Sequence, residues 1–150
     1  TVARTYRKAI DDYLKSPELY RENMEWYKSE IGKCTYREFT TGFYFHKPDA
    51  MTQIYDSNTY VKNYTYLGTV EAVREDGLVR IEQKNKFSVG ETVEIMKPDG
   101  RNLEKEVAAI CDEEGNPVES APHPKQVLYV DLGADAECGD IIRRSEMEAD

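Results

Sequence analysis

The chain has 150 residues, of which 39% are hydrophobic and 33% are charged, and it carries a formal net charge of −9. A chain of this length is typical of one globular domain, and its hydrophobic content excludes a disordered protein. Its acidity argues against nonspecific adhesion to nucleic acid or to a membrane surface, because both require a basic protein surface.

Two helices are predicted in the first part of the chain. Apolar residues recur at helical spacing over residues 2–15, which predicts an amphipathic helix. Ser16 and Pro17 supply an N-cap side chain and a proline at the first helical position, so a second helix is predicted over residues 17–31, with Gly32 as its C′ residue. Because the sequence starts inside the first predicted helix, we expect it to be cut from a longer protein.

The rest of the chain is predicted to form strands. After Gly32 the hydrophobic period changes from about 3.6 to about 2, and Val79 and Ile81 alternate with polar residues after a turn signal, which predicts a hairpin. Short strands between glycine and proline turns favour a closed or nearly closed barrel. The predicted fold class is therefore mainly β, a small β-barrel preceded by two N-terminal α-helices. The strand-forming segments are 37–45, 60–73, 78–84, 92–96, 103–111, 126–132 and 141–143.

The cysteines and histidines form no recognisable disulfide or metal pattern. Cys34, Cys111 and Cys138 are widely spaced, and neither His46 nor His123 has a close partner, so neither a disulfide framework nor a zinc site is predicted. Pairing of Cys34 with a histidine is the one arrangement typical of a cysteine nucleophile. A half-buried thiol and two surface histidines explain the same residues more simply. We expect no catalytic residue and no metal ligand in this chain.

Nothing in the sequence predicts export or membrane insertion. No apolar run approaches the roughly 18 residues of a membrane-spanning segment. The first residues alternate charged with apolar groups and do not resemble a signal peptide. We therefore expect a cytoplasmic protein with no membrane partner.

Several segments in a fixed order carry a resemblance to a known family. They are Thr40-Thr-Gly-Phe-Tyr-Phe45, Tyr64-Thr-Tyr-Leu-Gly-Thr-Val70, Ile81-Glu-Gln-Lys-Asn-Lys-Phe-Ser-Val-Gly90, Pro98-Asp-Gly100 and Ala121-Pro-His-Pro124. Over residues 33–131 the chain resembles the C-terminal region of the collagenase-like peptidase U32 family. Residues 6–12 resemble the helix that leaves the family's larger N-terminal domain.

The resemblance implies a protein of two parts. The family's larger domain is barrel-like, and its cysteines are associated with an iron–sulfur cluster. The smaller domain is similar to the β-barrel that forms the second domain of translation elongation factors. Some members are named as proteases, that is, hydrolases, and others are implicated in oxygen-independent hydroxylation of transfer RNA, ribosomal RNA or quinone precursors. None of the family's clustered cysteines can be placed on this chain, so the cluster is expected in the missing domain.

The expected organisation follows from this resemblance and from the change of period. Residues 1–32 are expected to be a helical linker from the missing N-terminal catalytic domain, which is also the expected partner of this chain. Residues 33–145 are expected to form the C-terminal β-barrel domain. Residues 146–150 are expected to be an acidic tail.

Aromatic residues beside cations form the candidate binding surface. Most of the aromatic residues are predicted to pack in the core or between domains. Exposed aromatic rings next to cations are typical of sites that stack bases and contact phosphates. The candidate substrate-binding residues, for RNA or for a peptide, are Arg37, Tyr44, Lys84 and Lys86.

Three functions remain open at this point. The preferred one is a non-catalytic accessory domain, a substrate-positioning module or lid, that works with a catalytic domain outside this chain. The alternatives are a purely structural domain that stabilises its neighbour and a freestanding cysteine hydrolase. The parent protein is expected to be an enzyme named as a U32 peptidase, either a protease or a hydroxylation enzyme that modifies tRNA.

Overall fold

Among the residues that the computed structural model describes, three helices precede a seven-stranded antiparallel sheet. The structure describes residues 1–37, 39–50, 60–123 and 125–146, so the predicted tail lies, apart from Glu146, outside the described residues. The helices are α1 (Val2–Lys15), α2 (Pro17–Glu22) and α3 (Met24–Gly32). The strands are β1 (Tyr64–Val73), β2 (Val79–Gln83), β3 (Thr92–Met96), β4 (Asn102–Glu106), β5 (Ala109–Cys111), β6 (Val127–Asp131) and β7 (Ile141–Ser145).

The second predicted helix is interrupted in its middle. Ser16 caps its start as predicted, because the Ser16 Oγ accepts the Leu19 N–H at 3.0 Å. At Asn23 the backbone leaves helical geometry (φ −87°, ψ 5°), and the Asn23 side chain donates to Asp12 Oδ2 at 3.0 Å. An asparagine whose amide is held by another helix is a natural site for such a break. The prediction of two helices is therefore wrong in number.

None of the described helices combines the length and the apolar character that crossing a bilayer requires.

The sheet curls into a half-barrel. Its strand order is β4-β3-β7-β1-β2-β6-β5, and every neighbouring pair is antiparallel. The two edge strands, β4 and β5, are connected by Val107 and Ala108 alone. The Val107 N–H donates to the Glu91 carbonyl at 2.9 Å, and the Ala108 N–H donates to the Asp131 carbonyl at 3.1 Å. The connection is thus bonded to both sides of the sheet. The prediction of a mainly β fold behind N-terminal helices is confirmed.

The first predicted strand, over residues 37–45, is wrong for the residues that the structure describes there. Among the described residues of 36–61, ladder pairing is limited to one isolated bridge between Tyr36 and Val61. The following residues turn at Gly42, whose φ of +52° favours glycine and whose N–H donates to Thr40 Oγ1 at 3.2 Å. The aromatic residues here raise strand propensity, but the local turn chemistry prevails.

Two other predicted strands differ by more than two residues in their bounds or are divided, and the remaining ones agree to within two residues at each end. The segment 60–73 forms a strand only from Tyr64, and the segment 103–111 is divided at Val107 and Ala108 into β4 and β5.

The apolar core fills the inside of the half-barrel. Leu67, Ile81, Ile95, Leu128 and Ile142 come from five different strands, and none is more than 2% exposed. Alternation along each strand places these side chains inward and their neighbours outward. The core therefore occupies the inward faces of β1 and β7, and their outward faces are available for a binding site.

Gly68 lies where β1 passes closest to β2. A Cβ at this position would lie 2.6 Å from the Glu82 carbonyl oxygen and 2.6 Å from Ile81 Cγ2. We expect Gly68→Ala to lower the free energy of unfolding by about 1–3 kcal/mol, because the strand must shift to admit the methyl group. Urea unfolding monitored by circular dichroism measures this. Gly32→Ala, where a Cβ has nothing within 4 Å, is the matched control and should be neutral or slightly stabilising; equal losses in both variants contradict the steric explanation.

Candidate functional site

A buried ion network ties the helices to the sheet. Glu30 of α3 is 1% exposed, and its carboxylate lies 3.1 Å from Arg143 Nη2 of β7 and 2.7 Å from Lys33 Nζ. Arg4 of α1 also pairs with Glu30. Glu94 of β3 pairs with Arg143 and, at 3.2 Å, with Lys33 Nζ. Three cations therefore meet two carboxylates, which leaves one positive charge in excess.

The network holds Glu30 and Lys33 in their charged forms. Burial raises the pKa of the Glu30 carboxyl, but the hydrogen bonds from Lys33 and Arg143 together with their charges outweigh burial, and the pKa lies below its ordinary value of 4.5. Burial lowers the pKa of Lys33, but the hydrogen bond to Glu30 and the charge of Glu94 outweigh it, and the pKa lies above 10.5. The excess positive charge therefore persists at neutral pH.

A cleft of about 430 Å³ opens beside this network. The Tyr64 ring of β1 contacts two of the network's cations, with Lys33 Nζ 5.2 Å and the Arg143 guanidinium carbon 5.0 Å from the ring centroid. Tyr66 is 41% exposed, and Lys62 is exposed as well. The cleft is lined by Thr1, Lys33, Cys34, Thr35, Lys62, Tyr64, Tyr66, Asn85, Ile141 and Arg143.

Strand alternation puts these side chains on one face. Tyr64 and Tyr66 are two residues apart on β1, and Ile141 and Arg143 are two residues apart on β7, so each pair shares a face. Tyr66 and Arg143 are direct cross-strand partners. Leu67, the next residue along β1, points into the core. The cleft thus lies on the outward face of β1 and β7, and the core lies on their inward face.

A short turn closes one side of the cleft and contains two of the predicted site residues. Asn85 Nδ2 donates to the Tyr66 carbonyl at 2.7 Å, and the Lys84 N–H donates to the Leu67 carbonyl at 2.7 Å. Lys84 and Lys86 therefore flank a residue that lines the cleft. The Lys84 ammonium pairs with Glu82, whereas the Lys86 side chain is exposed.

The other two predicted site residues lie elsewhere. The Arg37 guanidinium lies 4.8 Å from the Tyr60 ring centroid and donates to the Tyr60 hydroxyl at 3.2 Å. Tyr44 is 84% exposed and contacts Phe45 edge to face, with ring centroids 4.9 Å apart. Neither Arg37 nor Tyr44 is among the described residues that line the cleft. Their role in binding stays a prediction.

Residues 62–143 match the profile of the peptidase family U32 C-terminal domain, which is more than half of the chain. The chain belongs to peptidase family U32. It is similar to tRNA hydroxylation protein P1 of Bacillus subtilis (strain 168), with 33% identity over 133 residues, which cover 88% of this chain and 31% of that protein. It is also similar to tRNA hydroxylation protein P of Escherichia coli (strain K12), with 26% identity over 136 residues, which cover 90% of this chain and 29% of that protein.

The U32 chain thus spans less than a third of the length of these curated relatives. A solved structure is also similar, the C-terminal domain of a Geobacillus thermoleovorans protein described as a U32 peptidase. It shares 26% identity at a TM-score of 0.49 and covers 53% of this chain and 99% of that one. The resemblance of the sequence to the U32 family is confirmed.

Sequence reasoning on this U32 domain missed the cations at the base of the cleft. Lys33 and Arg143 lie 110 positions apart in the sequence and meet only because α3 packs near β7. Tyr66 carries a detectable signal, since it alternates with buried residues and stays exposed. Strand alternation alone could have identified Tyr66 as an outward-facing residue. The pairing of Arg143 with Glu30 could be found only in the tertiary structure.

The structure does not bring Cys34 and a histidine together in the cleft. Cys34 is half-buried there, and no histidine is among the described lining residues. His46 is exposed, with its Nδ1 3.2 Å from the Lys47 carbonyl oxygen, and His123 is exposed too. Within the described ranges no group of three histidine, cysteine or acidic side chains is placed to hold a metal ion.

Proposed function

We propose that this chain is a non-catalytic accessory domain that positions tRNA for the rest of a U32-family protein. The observation that carries the proposal is a cleft with a net positive network, an exposed lysine and an exposed tyrosine on a chain whose net charge is −9. The relatives named as tRNA hydroxylation proteins support tRNA as the substrate.

The cleft offers the two kinds of contact that a single-stranded RNA segment uses. The ring of Tyr66 is exposed and can stack on a base, because every base has a π-face. Lys62 also lines the cleft, Lys86 follows the lining residue Asn85, and both are exposed cations that suit phosphate oxygens. Local positive charge of this kind is needed here, since the net charge of the chain repels a polyanion.

The chemistry of the reaction is assigned to the part of the protein outside this chain. An iron–sulfur cluster is typically held by about four cysteine thiolates, and the three free cysteines here do not fit one, since no three candidate ligands come together among the described residues. The cluster that the family resemblance implies, and the hydroxylation or peptide hydrolysis, belong on this proposal to the larger domain. On this proposal, the half-barrel corresponds to the β-barrel that forms the second domain of translation elongation factors. The proposal also places the protein in the cytoplasm.

The proposal is tested by titrating fluorescent tRNA against the full-length protein. Replacing Tyr66 with alanine should weaken binding by about 1–3 kcal/mol, with little change in salt dependence, because the ring that stacks on a base is removed. Tyr66→Phe retains the ring and should bind tRNA as the wild type does.

The cations have their own signature in the same titration. Lys62→Ala/Lys86→Ala should weaken binding and lower the slope of log affinity against log salt by roughly 0.7–0.9 for each phosphate that is no longer neutralised. Arg101→Ala/Lys105→Ala removes two cations that do not line the cleft and should leave the slope unchanged. Lys84→Ala and Tyr44→Ala test two of the sequence-based candidates. If the Tyr66→Ala and Lys62→Ala/Lys86→Ala variants fold normally and bind tRNA as tightly as the wild type, the proposal is contradicted. The purely structural domain is then the better explanation.

A further inference from the structure

The first helix of the chain buries the polar face that carries Thr5 and Asp12, whereas its apolar face and a second polar face that carries Arg7 are exposed. Thr5 and Asp12 of α1 are 1% and 3% exposed, and Asp12 accepts a hydrogen bond from the Tyr27 hydroxyl of α3 at 2.7 Å. Tyr6, Ile10 and Leu14 are 61%, 52% and 77% exposed. A helix that packs on its own domain normally buries its apolar face, whereas most of the apolar face of α1 remains exposed.

Residues of this face form a groove together with Tyr20 of α2. The groove has a volume of about 400 Å³. The Tyr20 ring contacts Tyr13 edge to face at 5.7 Å and stacks on Tyr27 at 5.6 Å, and the Tyr27 hydroxyl is fixed by Asp12 at 2.7 Å. Its lining residues are Tyr6, Ala9, Ile10, Tyr13, Leu14 and Tyr20. We call these six residues the α1 groove.

We propose that the α1 groove is the docking surface for the larger part of the full-length U32 protein. The relatives are more than three times as long as the stretch they share with this chain, and the family profile places residues 62–143 in a C-terminal domain. The similarity to the relatives covers 88–90% of the chain, so it extends beyond the sheet into the helices. The helices therefore lie on the side of the chain that adjoins the rest of the protein.

The chemistry of the α1 groove specifies its occupant. No charged residue is among its described lining residues, so it suits an apolar protein ridge and does not suit RNA, which requires cations. Tyrosine is also enriched among the residues that contribute most to protein–protein binding. The occupant is thus an apolar surface of the larger domain, and this docking is independent of RNA binding in the cleft.

Thiol labelling tests the docking. Ile10→Cys places a thiol in the α1 groove, and Arg7→Cys places one on the charged face of the same helix, where the Arg7 side chain is 75% exposed. Each variant is made in the full-length protein and in the 150-residue chain, and peptide mass spectrometry follows alkylation at the introduced thiol. In full-length protein we expect labelling at position 10 to be about 100-fold slower than in the 150-residue chain, because access requires the interface to open. Labelling at position 7 should be equally fast in both proteins.

Two results overturn the docking proposal. Equal labelling rates at position 10 in the two proteins show that the groove is open in the full-length protein. Slow labelling in the 150-residue chain, together with a dimer in sedimentation analysis, shows that a second copy of the chain is the occupant. Neither result bears on tRNA affinity, so this proposal and the proposed function fail separately.

Discussion

Replacing Glu30 with glutamine is expected to lower the free energy of unfolding by about 3–5 kcal/mol, the cost of breaking a buried charge network by removing one partner. The Glu30 carboxylate is 1% exposed and pairs with Arg4, Lys33 and Arg143. Without it, Glu94, which pairs with Lys33 and Arg143, is the one carboxylate left in the network to balance the charges of three cations. Urea unfolding at neutral pH measures the loss.

A surface variant on the same helix is the matched control. Glu25 pairs with Lys28 at 2.8 Å, and its side chain is 86% exposed. Glu25→Gln should therefore cost no more than about 1 kcal/mol. A loss for Glu30→Gln as small as this control value contradicts the stabilising role of the network.

The same network predicts how stability depends on pH. The folded-state pKa of Glu30 lies below its ordinary value of 4.5, so its stabilising contribution is complete above that value and is lost as pH falls through the folded-state pKa. Glutamine does not titrate. The difference in unfolding free energy between wild type and Glu30→Gln should therefore be constant from about pH 7 to about pH 5 and shrink below about pH 4. A difference that grows in acid contradicts this sign.

Asp12→Ala is expected to lower the free energy of unfolding by about 3 kcal/mol, since it removes a charged acceptor from several donors at once. Asp12 Oδ2 accepts hydrogen bonds from Lys8 Nζ at 2.8 Å, Asn23 Nδ2 at 3.0 Å and the Tyr27 hydroxyl at 2.7 Å. This carboxylate therefore holds the three helices together. Asp11→Ala, whose side chain is 42% exposed and pairs with Arg7, is the control and should cost no more than about 1 kcal/mol.

Tyr27 gives a spectroscopic readout of the same contact. Burial, followed by the hydrogen bond to Asp12 and the charge of Asp12, raises the Tyr27 pKa to about 12. The neutral phenol thus stabilises the fold below its ordinary pKa of 10.0, and this contribution is lost as pH rises through the folded-state value. Ultraviolet titration of Asp12→Ala should show the Tyr27 pKa falling toward 10.0. An unchanged tyrosine titration would show that Asp12 does not act on Tyr27.

Local signals in the sequence were sufficient to predict many elements. The Ser16 cap, the first helix and the β2 and β3 strands follow from side-chain chemistry and alternation within a few residues. The placement of β7 between β3 and β1 does not follow from local signals, because that pairing joins segments far apart in the chain.

The errors also have physical causes. The segment 37–45 has the aromatic residues of a strand, but among its described residues the chain turns at Gly42. The apolar stripe of α1 was detected correctly, but its periodicity cannot tell whether the stripe faces its own domain or another one. The cleft depends on Lys33 and Arg143. The Lys33–Glu30 pair is local in the sequence, three residues apart, whereas the Arg143–Glu30 contact exists only because α3 lies near β7.

The cleft's role in positioning RNA is tested most directly by a tRNA footprint on the native cysteines of the full-length protein. Cys34 lines the cleft, and exposed Cys138 lies outside it, with its thiol donating to the Glu71 carbonyl at 3.0 Å. Iodoacetamide labelling followed by peptide mass spectrometry compares the two thiols as tRNA is added. We expect tRNA to slow labelling of Cys34, half-maximally at the Kd measured by titration, and to leave Cys138 unchanged. Unchanged labelling of Cys34 while tRNA is bound contradicts the assignment of the cleft as the RNA-positioning site.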